Sequence, residues 1–189
     1  LQLPSPVLTS GEFEALRNFC GDSGFVIDCT FPAVEGEAGL REAIARIRRE
    51  AEDRVREGCT HLFLTDQAQS GDRAYIPMIL ATAAVHTHLV RQSLRTFTSL
   101  NVRSAEALDV HAIAVTIGVG ATSINPYLAQ ESIADRQRRG LFGEISLREA
   151  VERYRKAVDK GLLKVMSKMG ISIVSAYRGG YNFEAIGLS

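Results

Sequence analysis

The chain has 189 residues, close to the size of one domain and long enough to bury a core. Lysine plus arginine equals aspartate plus glutamate at 22 each, so net charge points to no nucleic-acid or membrane partner. No apolar run reaches bilayer-spanning length, no secretory signal opens the chain, and Cys20, Cys29 and Cys59 suit reduced thiols better than a disulfide framework, so a cytoplasmic α/β protein is expected.

Pro4 and Pro6 resist regular structure, and Thr9 with Glu12 makes a capping-box signature for a short helix. FVIDCTF, from Phe25 to Phe31, is a β-rich run. EGEAGLREAIARIRREAEDRVREG carries Leu40, Ala43, Ile44, Ile47, Ala51 and Val55 at helical spacing and stops at Gly58. HLFLTD, from His61 to Asp66, is the next strand. IPMILATAAVHTHLVRQSL follows as a helix apolar over most of its circumference, which predicts burial. TFTSLNV, from Thr96 to Val102, is a third strand, and AEALDVHAIAVTIGVG a third helix. Strands near Phe25, His61 and Thr96, each followed by a helix, give the rhythm of a parallel β/α array.

ATSINPY predicts a fourth short strand, and LAQESIADRQRRGLFGEI a helix plus turn. Ser146 with Glu149 is a second capping box, opening a long helix to Met169 with Gly170 as a left-handed stop. ISIVSAY is expected as a fifth strand. No linker rich in Pro, Gly and Ser interrupts the pattern. The expectation is therefore a single α/β domain over residues 1–189, a parallel β/α array related to an incomplete (β/α) barrel. Leu1 stands where a Met would open a gene product, and NFEAIGLS reads like a helix just getting under way. Both ends are expected to be cut from a longer protein.

His86 and His88 in VHTHL lie two apart, so on a helix they point to different faces. No nearby acid or cysteine completes a metal set, and His61 and His111 are isolated, so all are read as packing histidines. Gly118 and Gly120 lie in the order helix, glycines, strand, which suits a turn and not a dinucleotide fingerprint. Thr30, Asp66, Asn125 and Tyr177 lie near expected strand C-termini, where α/β folds place ligands. No nucleophile elbow, P-loop or CxxC is present. No catalytic, cofactor-binding or metal residue is assigned.

Lys156, Lys160, Lys164 and Lys168 recur every fourth residue and form one helical stripe. Like charges at that spacing repel by a few tenths of a kcal/mol per pair, with only Asp159 at hand to offset them. Val158, Leu162, Val165, Met166 and Met169 fall on the opposite, buried side. The stripe is either a solvated face or a surface for an anionic partner. Lys164 and Lys168 also suit the negative end of the helix dipole.

LQLPSPVL, FPAVEGEAGLREAI, AAVHTHLVRQSLRT, INPYLAQESI and YRKAVDKGLLKVMSKMGIS…SAYRGGYNFEAIGLS occur in that order. This set resembles the large chain of the glutamate synthases across essentially the whole sequence, with the Lys-rich segment the most specific piece. SAYRGGYNF departs in detail from the SYRGAQIF of many relatives. The resemblance implies the latter part of a barrel-related central domain, a scaffold between an N-terminal glutamine amidotransferase domain and an FMN-binding synthase domain. It implies a parent that makes L-glutamate from L-glutamine and 2-oxoglutarate, with FMN and a 3Fe-4S cluster. NADPH-type enzymes, the favoured type here, add a small FAD-containing subunit. None of these cofactors is expected to be held by this segment, and no cluster role falls on Cys20, Cys29 or Cys59. Lys164 and Lys168 become the candidates for contact with a flanking domain. The rival readings are a stand-alone β/α module binding a small anion at strand C-termini, and a phosphate-binding barrel enzyme centred near Asp66 and Asn125.

Overall fold

The computed structural model describes residues 3–184, 186 and 187. Helix starts follow their local signals. Helix α1 (Ser10–Cys20) opens on a complete capping box: the Glu12 amide donates to the Thr9 hydroxyl at 3.2 Å, and the Thr9 amide donates to the Glu12 carboxylate at 2.8 Å. Helix α2 (Gly36–Arg56) buries Gly39, Ala43, Ile47, Ala51 and Val55, one residue in four, and Gly58 follows it at φ 97°. Helix α3 (Met78–Arg91) buries Met78, Ala81, Thr82, Val85 and Leu89. It is less buried than its composition predicts, since Ile79, Leu80 and Val90 face outward at 38%, 42% and 52% exposure. Asp109 caps helix α4 (Val110–Gly118) through the Ala112 amide. Helix α5 (Tyr127–Arg138) and helix α6 (Leu147–Lys168) complete the long elements, the latter opened by Ser146. Among the described residues, no helix is long and apolar enough to cross a membrane.

Strands β1 (Gly24–Asp28), β3 (His61–Thr65), β5 (Ser99–Arg103) and β6 (Ser123–Asn125) form one parallel sheet in the order β1-β3-β5-β6. The spatial order never reverses, so successive crossovers return to the same face, as in a segment of a (β/α) barrel. Side-chain alternation agrees. Ile27, Leu62, Leu64, Leu100, Val102 and Ile124 enter the main core with α2, α3, α4 and α6. The opposite face carries Phe63, which packs with Leu8, Phe13, Leu16 and Cys20 beneath α1.

FVIDCTF does not run as one strand. It divides into β1 and a short β2 (Thr30–Pro32), and β2 pairs antiparallel with β4 (Arg73–Tyr75), a strand hidden in apparent loop sequence. The Cys29 carbonyl accepts from the Ile76 amide, while Arg46 of α2 donates to the carbonyls of Asp28 and Thr30. These bonds satisfy the backbone where the chain leaves the main sheet. TFTSLNV likewise enters its strand only at Ser99, after a tight turn over Arg95–Phe97.

ISIVSAY is not a fifth strand. It ends in the short helix α7 (Val174–Tyr177), whose Tyr177 hydroxyl donates to the Ala114 carbonyl. The sheet edge that such a strand would need is already covered. The Ile124 amide donates to the Pro6 carbonyl and the Leu8 amide donates to the Ile124 carbonyl, both at 2.8 Å, so the N-terminal segment around Val7 runs parallel to β6. The tail read as an incipient helix is irregular over residues 181–184, and the rest of that expectation falls partly outside the described residues.

Candidate functional site

The strand C-termini were the expected ligand end, and they hold a polar cluster. Asp66, just past β3, is fully buried, and its Oδ2 accepts from the Ala105 amide at 2.8 Å. Burial pushes its carboxyl up from the usual range, opposed by the Ala105 amide and the Tyr127 hydroxyl. Arg103, ending β5, pairs with Glu14 of α1 and lies 5.6 Å from the ring centres of both Phe13 and Tyr127. Asn125, ending β6, donates to the Leu8 carbonyl at 3.0 Å. Among the described residues, Asp66 Oδ1, Arg103 Nε and Asn125 Oδ1 are buried without a partner.

Thr30 stands apart from this cluster, on β2. Its hydroxyl donates to Asp28 and accepts from Arg73. Tyr177 belongs to the opposite end of the molecule, because the strand that would have delivered it does not form. The structure therefore brings together Asp66 and Asn125 only. Their neighbours Arg103 and Tyr127 carried no motif in the sequence. The bonds made here are to α1 and the N-terminal segment, so the cluster anchors those elements over the sheet end.

A cavity of about 630 Å³ opens at the other end, where the strands begin. His61 and Ser99, the first residues of β3 and β5, form part of its wall. Arg95, in the turn after α3, donates from Nε to His86 Nδ1 at 3.0 Å, from Nη1 to the Thr98 carbonyl and from Nη2 to the Gly120 carbonyl. Accepting at Nδ1 assigns the His86 proton to Nε2. Burial, then the charges of Arg95 and Arg178, push this imidazole down to about 4. The ring is wedged between Gly120 (φ 130°) and Gly179 (φ 72°), where an added Cβ would stand 2.3 Å and 2.7 Å from ring atoms. His86 is thus a packing histidine.

The segment after α7 runs as a strap over the C-terminus of α4, and its Arg178 lines the cavity. The Gly179 and Tyr181 amides donate to the carbonyls of Ile117 and Gly118 at 3.3 Å each, and Arg178 donates to the Thr122 hydroxyl. Phe183 lies so close over Gly118 that a Cβ there would meet it at 2.2 Å. His88 faces away and bonds Glu52 of α2 at 2.7 Å. Among the described residues, no three His, Cys, Asp or Glu side chains converge as a metal site.

On α6, Val158, Leu162 and Met166 are buried and all four stripe lysines are exposed, as the helical wheel predicts. Met169 departs from the wheel: it is the capping residue and is 40% exposed. Asp159 forms no salt bridge with the stripe among the described residues; its Oδ1 accepts from the Ser5 hydroxyl at 2.7 Å. Among the described residues, none of the four lysines forms a salt bridge.

The family model described as "Glutamate synthase central domain" matches residues 1–189. The chain belongs to the glutamate synthase central domain family. The glutamate synthase [NADPH] large chain of Azospirillum brasilense is 64% identical over 189 residues, covering 100% of this chain and 12% of that protein. The glutamate synthase [NADH] of Saccharomyces cerevisiae is 36% identical over 199 residues, covering 100% and 9%. The chloroplastic ferredoxin-dependent glutamate synthase of Spinacia oleracea is 38% identical over 198 residues, covering 98% and 12%. The chain therefore spans about an eighth or less of the relatives it matches.

In this glutamate synthase central domain, the thiols do not fit an iron–sulfur cluster. A cluster is held by several convergent thiolates, and among the described residues no such set converges; all three cysteines are buried, and burial pushes each thiol up, Cys29 to about 12. The recognisable SAYRGGYNF of the central domain has a visible structural use, since its residues build the strap over α4 and one wall of the cavity.

Proposed function

We propose that this chain is a non-catalytic scaffold within a glutamate synthase large chain, one domain between a glutamine amidotransferase domain and an FMN-binding synthase domain. The parent makes L-glutamate from L-glutamine and 2-oxoglutarate in the cytoplasm. Other segments hold its FMN and 3Fe-4S cluster. NADPH-type electron supply through a small FAD-containing subunit is the favoured form, supported by similarity to an NADPH-type large chain.

The observation that carries the scaffold reading is how the polar groups at the usual ligand end are used. Arg103 and Asn125 bond to α1 and to the N-terminal segment, and Asp66 bonds to a backbone amide. The outer edge of β1 has no further strand among the described residues, which supports continuation of the array beyond it. Lys164 and Lys168 are proposed to meet a flanking domain, a reading supported by their exposure and lack of acidic partners among the described residues.

Purification of residues 1–189 alone tests the scaffold. The expected product is colourless and converts neither glutamine nor 2-oxoglutarate. Stoichiometric bound FMN, read from its visible absorption, would overturn the assignment.

A further inference from the structure

The cavity at the start of the strands holds two cations with no acid beside them. Arg95 and Arg178 reach it from separate elements, and among the described residues no Asp or Glu lines it. Many other arginines sit against carboxylates, as Arg41 does with Glu37, Arg56 with Glu52 and Arg155 with Glu12. Among the described residues, Arg95 and Arg178 form no salt bridge. A guanidinium has five N–H donors. Arg95 commits one from each nitrogen to His86, Thr98 and Gly120, and Arg178 commits one to Thr122, so both keep donors to spare. The two charges also sense one another: burial and then Arg178 push Arg95 down to about 10. Neutral His86 cannot relieve that repulsion. The hydroxyl residues Thr60, Ser99 and Ser175 line the same space, and about 630 Å³ admits a small metabolite.

We infer that this cavity is an oxyanion site, in which a carboxylate or phosphate group seats between Arg95 and Arg178 with hydroxyl donors around it. Guanidinium forks suit such groups because two parallel N–H bonds match two oxygens. The site lies at the opposite end of the sheet from the strand C-termini, and it does not depend on the scaffold reading. A free small anion and an acidic side chain from elsewhere in the whole protein share this chemistry.

The test uses the full-length parent. Arg178 is the position to vary, because Arg95 also supports the backbone at Thr98 and Gly120. Inorganic phosphate is titrated by calorimetry into wild type, Arg178→Gln and Arg178→Lys. With a free anion as occupant, Arg178→Gln weakens phosphate binding by about tenfold or more, and Arg178→Lys falls between because its point charge lacks the fork. With an internal carboxylate as occupant, phosphate binding is the same in all three. Arg178→Gln then lowers the melting temperature, by an amount that shrinks at high salt. If Arg178→Gln leaves phosphate binding unchanged and lowers the melting temperature equally at low and high salt, or changes neither, the site does not exist.

Discussion

His86 receives a hydrogen bond from one arginine, lies near a second, and is enclosed by Gly120, Gly179 and the ring of Tyr181. Its imidazole falls from an ordinary 6.5 to about 4, so the folded state binds this proton more weakly than the unfolded chain. The sign follows directly. Stability contributed by the neutral ring is complete above about pH 6.5 and is lost as pH falls from there towards about 4. Urea unfolding of wild type and His86→Gln across that range measures it. The wild type should show the steeper loss, by at most about 1.4 kcal/mol per pH unit for one proton. Parallel curves would show that the ring does not titrate as described. The identity of His86 as a packing residue was legible from sequence, since no ligand set surrounded it. Its partners were not, because Arg178 lies ninety-two positions away in the chain.

Helix α6 illustrates how one element can satisfy two opposing demands. Its apolar stripe and Ser146 cap were readable, but Gly161 in mid-helix ran against propensity. Packing supplies the reason: an added Cβ would stand 2.5 Å and 2.6 Å from the two methyls of Val110 at the start of α4. Gly161→Ala gains about 1 kcal/mol of helix propensity and incurs about 1–3 kcal/mol of overpacking against a stiff β-branched side chain. Net destabilisation is expected, with Val110→Ala relieving the clash in the double variant. A double-mutant cycle by chemical unfolding checks it, and additive single effects would remove the explanation. Elements with strong local signals, such as α1 and α2, matched their sequence. FVIDCTF and ISIVSAY did not, because β-rich composition says that a segment can pair without saying whether an edge is free.

At the scale of the whole molecule, the two long charged helices contrast. Helix α2 pairs its charges internally, as in Arg41–Glu37 and Arg56–Glu52, whereas the α6 lysines face outward without acids among the described residues. Lys164→Glu with Lys168→Glu should cost this chain's own stability only about 0.5–1.5 kcal/mol, since an exposed acid near the negative end of the helix loses about 0.3–1 kcal/mol and pairing with Lys160 returns a few tenths. In the full-length parent, the same variant should lower glutamine-dependent turnover and make the domain junction more susceptible to proteolysis. Wild-type turnover and wild-type digestion together would return the stripe to solvent.

The order of the four parallel strands and the helices between them, the caps of α1 and α6 and the buried side of α6 were determined by sequence alone, because each depends on residues within a few turns of one another. Family membership belongs there too, through ordered motifs over the full length. The tertiary structure decided which segment borders β6, where FVIDCTF breaks, and that two distant arginines share one cavity. Those outcomes rest on contacts such as Val7 with Ile124 and Arg178 with Thr122. Such contacts depend on how backbone groups and charges are satisfied across the fold, and periodicity along the chain does not record that.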